Sequence, residues 1–88
     1  MRLPKIEECW KGDITTIETC IERSSANNHQ IWITMWKNEY EHFQVTLIDN
    51  KKQGDQKYTI IQKYTKDYAL AQSKYLEACD DNGCNPYP

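Results

Sequence analysis

The sequence predicts a single α+β domain: a three-stranded antiparallel sheet flanked by an N-terminal and a C-terminal helix, in the order α-β-β-β-α. Three observations carry this prediction. Two runs, Gln30–Lys37 and Phe43–Ile48, alternate with a period of two around the short polar segment Asn38–Glu41. A polar loop then leads into a third β-rich run over 57–64. On both sides of this block, apolar residues recur at helical spacing. With 88 residues, 39% hydrophobic and 11% aromatic, the chain has enough apolar material for one layer of helix on one sheet, and too much to remain disordered.

In the first segment, Ile6, Cys9, Trp10, Ile14, Ile17, Cys20 and Ile21 fall on one stripe at about 100° per residue. Gly12 interrupts it and Asp13 is a suitable N-cap, which predicts a helix restarting at Ile14. The Thr and Ile content of 14–21 would also suit a strand; helix is preferred. Ser24–Asn28 reads as a loop. In the hairpin, Ile31, Ile33 and Met35 share a face with Phe43, Val45 and Leu47, which suits packing beneath helices. The opposite face carries Trp32, Thr34 and Trp36 with Gln44, Thr46 and Ile48. Asn38 can occupy a left-handed turn position. Residues 49–56 form a loop, and 57–64 the third strand.

Thr65 can cap a helix beginning at Lys66, with Tyr68, Ala71, Tyr75, Ala78 and Cys79 on its buried face, Ala69 and Leu76 at the margin, and Leu70 exposed. Residues 1–79 constitute the domain, and 80–88 (DDNGCNPYP) an irregular tail. Double-stranded RNA-binding domains share this element order and grip phosphate across a groove. Thr65-Lys66-Asp67-Tyr68 supplies no basic cluster for that contact, and no motif of that family is matched.

Composition narrows the function. Eleven basic and 13 acidic side chains leave a net charge of −2, which gives no general case for nucleic acid or for an anionic membrane. Met1–Trp10 contains Arg2, Lys5, Glu7 and Glu8 and no apolar h-region, and no apolar run approaches the ~20 residues that span a bilayer. A cytoplasmic chain with reduced thiols is expected. The spacings Cys9-x10-Cys20 and Cys79-x4-Cys84 do not suit structural zinc, and no metal or other cofactor is expected. Cys84 is the most exposed thiol on this reading, and it could pair with Cys79 under oxidation. His29 and His42 stand in loop and strand-edge positions. The pairs Glu7-Glu8, Glu39-Glu41 and Asp80-Asp81 read as solubilising charge, and no nucleophile elbow, phosphate loop or metalloprotease helix is present.

The aromatic residues are the most informative. Two indoles on a half-polar sheet face are either covered within the chain or left as an exposed patch, and exposed Trp marks interfaces. The preferred expectation is therefore a non-enzymatic interaction module, a regulator or inhibitor of the kind phages and mobile elements encode. It would bind another protein, or itself as a homodimer, through Trp32, Trp36, Ile48 and Thr34. One alternative is nucleic-acid binding along an edge of Lys57, Lys63, Lys66 and Lys74. A second is a ligand-sequestering oligomer, on the premise that association of protomers is the main way a chain this short encloses a site of ~300 Å3 or more.

Overall fold

The computed structural model describes residues 18–86, with side chains from Cys20 onward. The expected helix from Ile14, together with Cys9, Trp10 and the Glu7-Glu8 pair, falls largely or wholly outside these residues. The described elements are β1 (Glu18–Ala26), β2 (Ile31–Asn38), β3 (Phe43–Asp49), a 3-10 turn at Gly54–Lys57, β4 (Tyr58–Thr65), α1 (Tyr68–Asn82) and β5 (Asn85–Pro86). All the strands are antiparallel and their spatial order is β4-β3-β2-β1-β5.

Among the described residues the sheet thus has five strands rather than three, and one C-terminal helix packs against it. The largest correction falls on residues 18–26, the end of the expected N-terminal helix and the loop after it. They pair along the length of β2, with Cys20 opposite Trp36 and Ser24 opposite Ile33. The register shifts between Cys20 and Glu22, leaving Ile21 as the extra, exposed residue of a bulge. The Cys20–Ile21 end of the helical stripe is therefore split between the two sides of a strand. β2 dictates this outcome. Trp32 to Trp36 are five consecutive buried residues, so both faces of β2 are covered, and a strand with no access to water must also pair on both edges.

Between β1 and β2, Asn27, Asn28 and His29 all take left-handed backbone angles (φ 53°, 59° and 68°), which the two asparagines tolerate better than most residues. In the next turn the left-handed residue is Glu41 (φ 63°) rather than Asn38. Asn38 works through its side chain instead: Oδ1 accepts from the Tyr40 and His42 amides at 2.9 and 3.0 Å. The helix starts two residues later than expected, because Asp67 is the cap. Its carboxylate accepts from the Leu70 amide at 3.0 Å, while Thr65 Oγ1 accepts from Asp67 N.

Beneath α1, Ile33, Met35 and Val45 pack against Ala71, Tyr75, Ala78 and Cys79, flanked by Phe43, Leu47 and Ile61. Tyr68, expected on the buried face, is half exposed and meets the edge of Phe43 at 5.1 Å. Leu76, expected at the margin, is 52% exposed. The segment from Asp80 is more ordered than expected. The helix runs on to Asn82, Gly83 turns the chain at φ 65°, and Asn85–Pro86 pair with Ser25 and Ser24. Among the described residues, no helix is long and apolar enough to cross a membrane.

Candidate functional site

Trp32, Trp36, Ile48 and Thr34 do come together on the sheet face opposite α1, as the alternation requires. Their exposure matches cover within the chain and not the exposed patch that the preferred expectation requires. The four are only 2%, 1%, 2% and 2% exposed, so the indoles are sealed rather than offered to solvent. The energetics explain the correction. An indole removes roughly 150–250 Å2 from water, worth roughly 4–6 kcal/mol at ~25 cal/mol/Å2, a large part of what holds so small a domain together. Cys20 and Tyr58 pack against the cluster, and His29 stacks on Trp32 at 5.1 Å. Trp36 Nε1 donates to Thr34 Oγ1 at 2.8 Å, and Thr34 Oγ1 in turn donates to the Thr46 carbonyl at 3.3 Å. The single described chain therefore presents this face as core.

Two polar atoms in the same layer, Gln44 Nε2 and Thr46 Oγ1, are buried with no hydrogen-bond partner. A buried hydroxyl that bonds nothing opposes folding. Thr46→Val keeps the β-branched shape and removes that hydroxyl, so urea denaturation is expected to show a gain of about 1 kcal/mol. A loss of stability would show that the hydroxyl has a partner.

The two sheet edges differ. At one, β5 pairs with β1 over two residues and ends the ladder at Pro86, which has no N–H to donate. At the other, β4 presents eight residues, and among the described residues no strand pairs with its outer side. Ile60 on this strand is 48% exposed, and Thr59 and Lys63 are exposed beside it. Residues 57–66 hold three lysines and no carboxylate, in a chain whose net charge is −2. Lys57 and Lys66 bracket the strand, Lys63 lies within it, and Lys74 sits on α1, which packs over β4. Lys63 and Lys66 are exposed, Lys57 and Lys74 half-buried. Three of the four lysine positions named from sequence, Lys57, Lys63 and Lys66, thus lie in β4 or next to it in the chain, and the fourth, Lys74, lies on the helix. What sequence reasoning missed is that, among the described residues, no strand lies beyond this edge, and that an exposed apolar side chain stands on it.

The register between β3 and β4 shifts twice, around Val45. Bulges and a lysine are common means of stopping an edge from pairing indiscriminately. They leave the straighter Tyr58–Ile60 stretch, opposite Thr46–Ile48, as the part best shaped to take another strand.

The remaining polar groups lie elsewhere. His29 Nδ1 is 3.0 Å from Ser25 Oγ, and the His42 ring lies 6.5 Å from that of Tyr40. Among the described residues, no three of His, Cys, Asp or Glu are placed to hold a metal ion together. No family model matches the chain, and neither a curated protein nor a solved structure shows significant similarity to it.

Proposed function

We propose that the protein is a non-enzymatic interaction module whose binding element is the outer edge of β4, and that its partner is an extended, acidic and apolar segment of another protein added as a further strand. The supporting observations are that β4 stands at the end of the described strand order, that Ile60 is exposed on it, and that residues 57–66 hold three lysines and no carboxylate. Main-chain hydrogen bonds would supply affinity, and alternate side chains specificity, as in other strand-addition complexes. Two copies of this edge brought together would set lysines against lysines, which disfavours a homodimer through β4. The indole face no longer serves as the docking surface, because it is buried.

Selection of displayed ten-residue peptides against the full chain tests the proposal. The expected winners alternate apolar and acidic residues and shift the amide resonances of Tyr58–Thr65. Their capture should fall at least about tenfold in Ile60→Lys and Lys63→Glu, with stability within about 0.5 kcal/mol of the parent. Three results would overturn it: winners that perturb a different surface, β4 amides already protected in a dimer of the free chain, or preferential binding of an oligonucleotide with a steep salt dependence. The last would favour nucleic-acid binding along the same lysines.

A further inference from the structure

A cavity of about 320 Å3 opens at the C-terminal end of α1, lined by Ser24, Tyr75, Leu76, Cys79, Cys84 and Pro86, with Asp80 also in its wall. It lies within one chain and is partly open to solvent. Its distinctive chemistry is a pair of free thiols, Cys79 and Cys84.

Backbone geometry brings these thiols together. Gly83 takes the left-handed conformation, the Gly83 amide donates to Asp80 O at 3.3 Å, and the Cys84 amide donates to Cys79 O at 2.9 Å. That double bond pattern is a Schellman motif, in which the residue after the glycine folds its side chain back onto the last full turn of the helix. The two positions that meet in the motif, commonly an apolar pair, are here both cysteines. Cys84 packs on the buried cluster containing Cys79, and both line the same cavity. Cys79 is buried, whereas Cys84 is half-buried and the more accessible of the two.

We propose that Cys79 and Cys84 form an oxidisable dithiol, which closes to an intrachain disulfide on reaction with a small-molecule disulfide entering this cavity. The Cys84 thiolate attacks one sulfur of that disulfide, forming a mixed disulfide and releasing one thiolate. Cys79, deprotonated, then attacks the Cys84 sulfur, the Cys79–Cys84 bond forms, and the second small thiolate leaves. Two electrons pass to the small disulfide, and the two protons shed by the cysteines are available to the two thiolates released. The closed form ties the last turn of α1 to the segment that carries β5, and so to the β1 edge of the sheet. Burial, and secondarily the neighbouring Cys79, pushes the Cys84 thiol up to about 11. Attack is therefore slow at neutral pH and quickens about tenfold per pH unit on the alkaline side.

The test uses the reduced full chain, oxidised glutathione at mildly alkaline pH, alkylation of the remaining thiols, and tryptic peptide mass. Lys74 is the last basic residue, so one peptide, Tyr75–Pro88, carries both cysteines. The expected product is this peptide short of two hydrogens and bearing neither glutathione nor an alkyl group. Cys79→Ser should instead accumulate glutathione on Cys84. Gly83→Ala, where an added Cβ meets nothing within 4 Å, should lower the ratio of closed to mixed disulfide several-fold, because only the backbone turn is disturbed. The proposal is overturned by a stable glutathione adduct on Cys84 in the parent chain, by a bond from either cysteine to Cys20, or by a Cys79→Ser chain that takes up no glutathione.

Discussion

Trp36→Ala is expected to remove about 3–5 kcal/mol of folding stability, read as a large fall in the urea midpoint with the slope unchanged. The side chain is 1% exposed and sits in a cluster with Trp32 and Ile48 that the sheet cannot fill by relaxing. Truncation also takes the Nε1–H away from Thr34 Oγ1, a buried hydroxyl that then keeps only its bond to the Thr46 carbonyl. Against a total of about 5–15 kcal/mol for a domain, this loss puts the variant near the threshold of unfolding. Trp36→Phe retains most of the volume and is expected to cost clearly less. The Trp32→Ala and Trp36→Ala losses should not add, because both residues belong to one cluster. A Trp36→Ala chain as stable as its parent would mean that this face is a solvent-facing surface after all.

The second large effect belongs to the contact that fastens α1 across the sheet. Ser24 Oγ and Tyr75 Oη lie 2.5 Å apart, joining β1 to the helix between residues 51 positions apart in the chain. Ser24 is 1% exposed and Tyr75 4%. Tyr75→Phe leaves the serine hydroxyl without this partner, and a cost of about 1–3 kcal/mol is expected. Ser24→Ala harms the tyrosine in the same way, so the double variant should lose less than the sum of the two by roughly 1 kcal/mol. Strict additivity would mean that the two hydroxyls do not interact.

The same phenol gives the contact a pH signature. Burial, more than any other influence, raises Tyr75 above its ordinary value of 10.0, although the Ser24 bond opposes the shift. The unfolded chain therefore releases this proton first, and above pH 10 it binds fewer protons than the folded chain. The contribution is complete below about pH 10 and diminishes as pH rises further. The stability difference between the parent and Tyr75→Phe should accordingly shrink on the alkaline side.

Much of this was legible in single residues and their spacing. The alternation of Ile31, Ile33 and Met35 against Trp32, Thr34 and Trp36 placed each side chain on its correct face, and the Ala71, Tyr75, Ala78, Cys79 spacing found the buried side of α1. The fifth strand was not legible in Asn85–Pro86, because two residues carry no period. β1 was misread because a bulge at Ile21 breaks its alternation. A signal was present nonetheless: a run as apolar as IWITMW suits a central strand, and a three-stranded meander would have left it at an edge. For the candidate site, the lysines of 57–66 could be named from sequence, whereas the place of β4 at the end of the described strand order could not.

The sequence by itself determined what depends on neighbours a few positions away: that the two hairpin runs alternate, which face of each is apolar, and where Asn and Gly permit the chain to reverse. Only the tertiary structure decided which strand borders which, that the two indoles are enclosed, that β5 lies against β1 while β4 ends the described strand order, and that Ser24 meets Tyr75. Periodicity is written locally because it follows from the geometry of one backbone segment. Burial and edge pairing are shared between segments far apart in the chain, so their free energy belongs to the assembled sheet and to no single stretch of it.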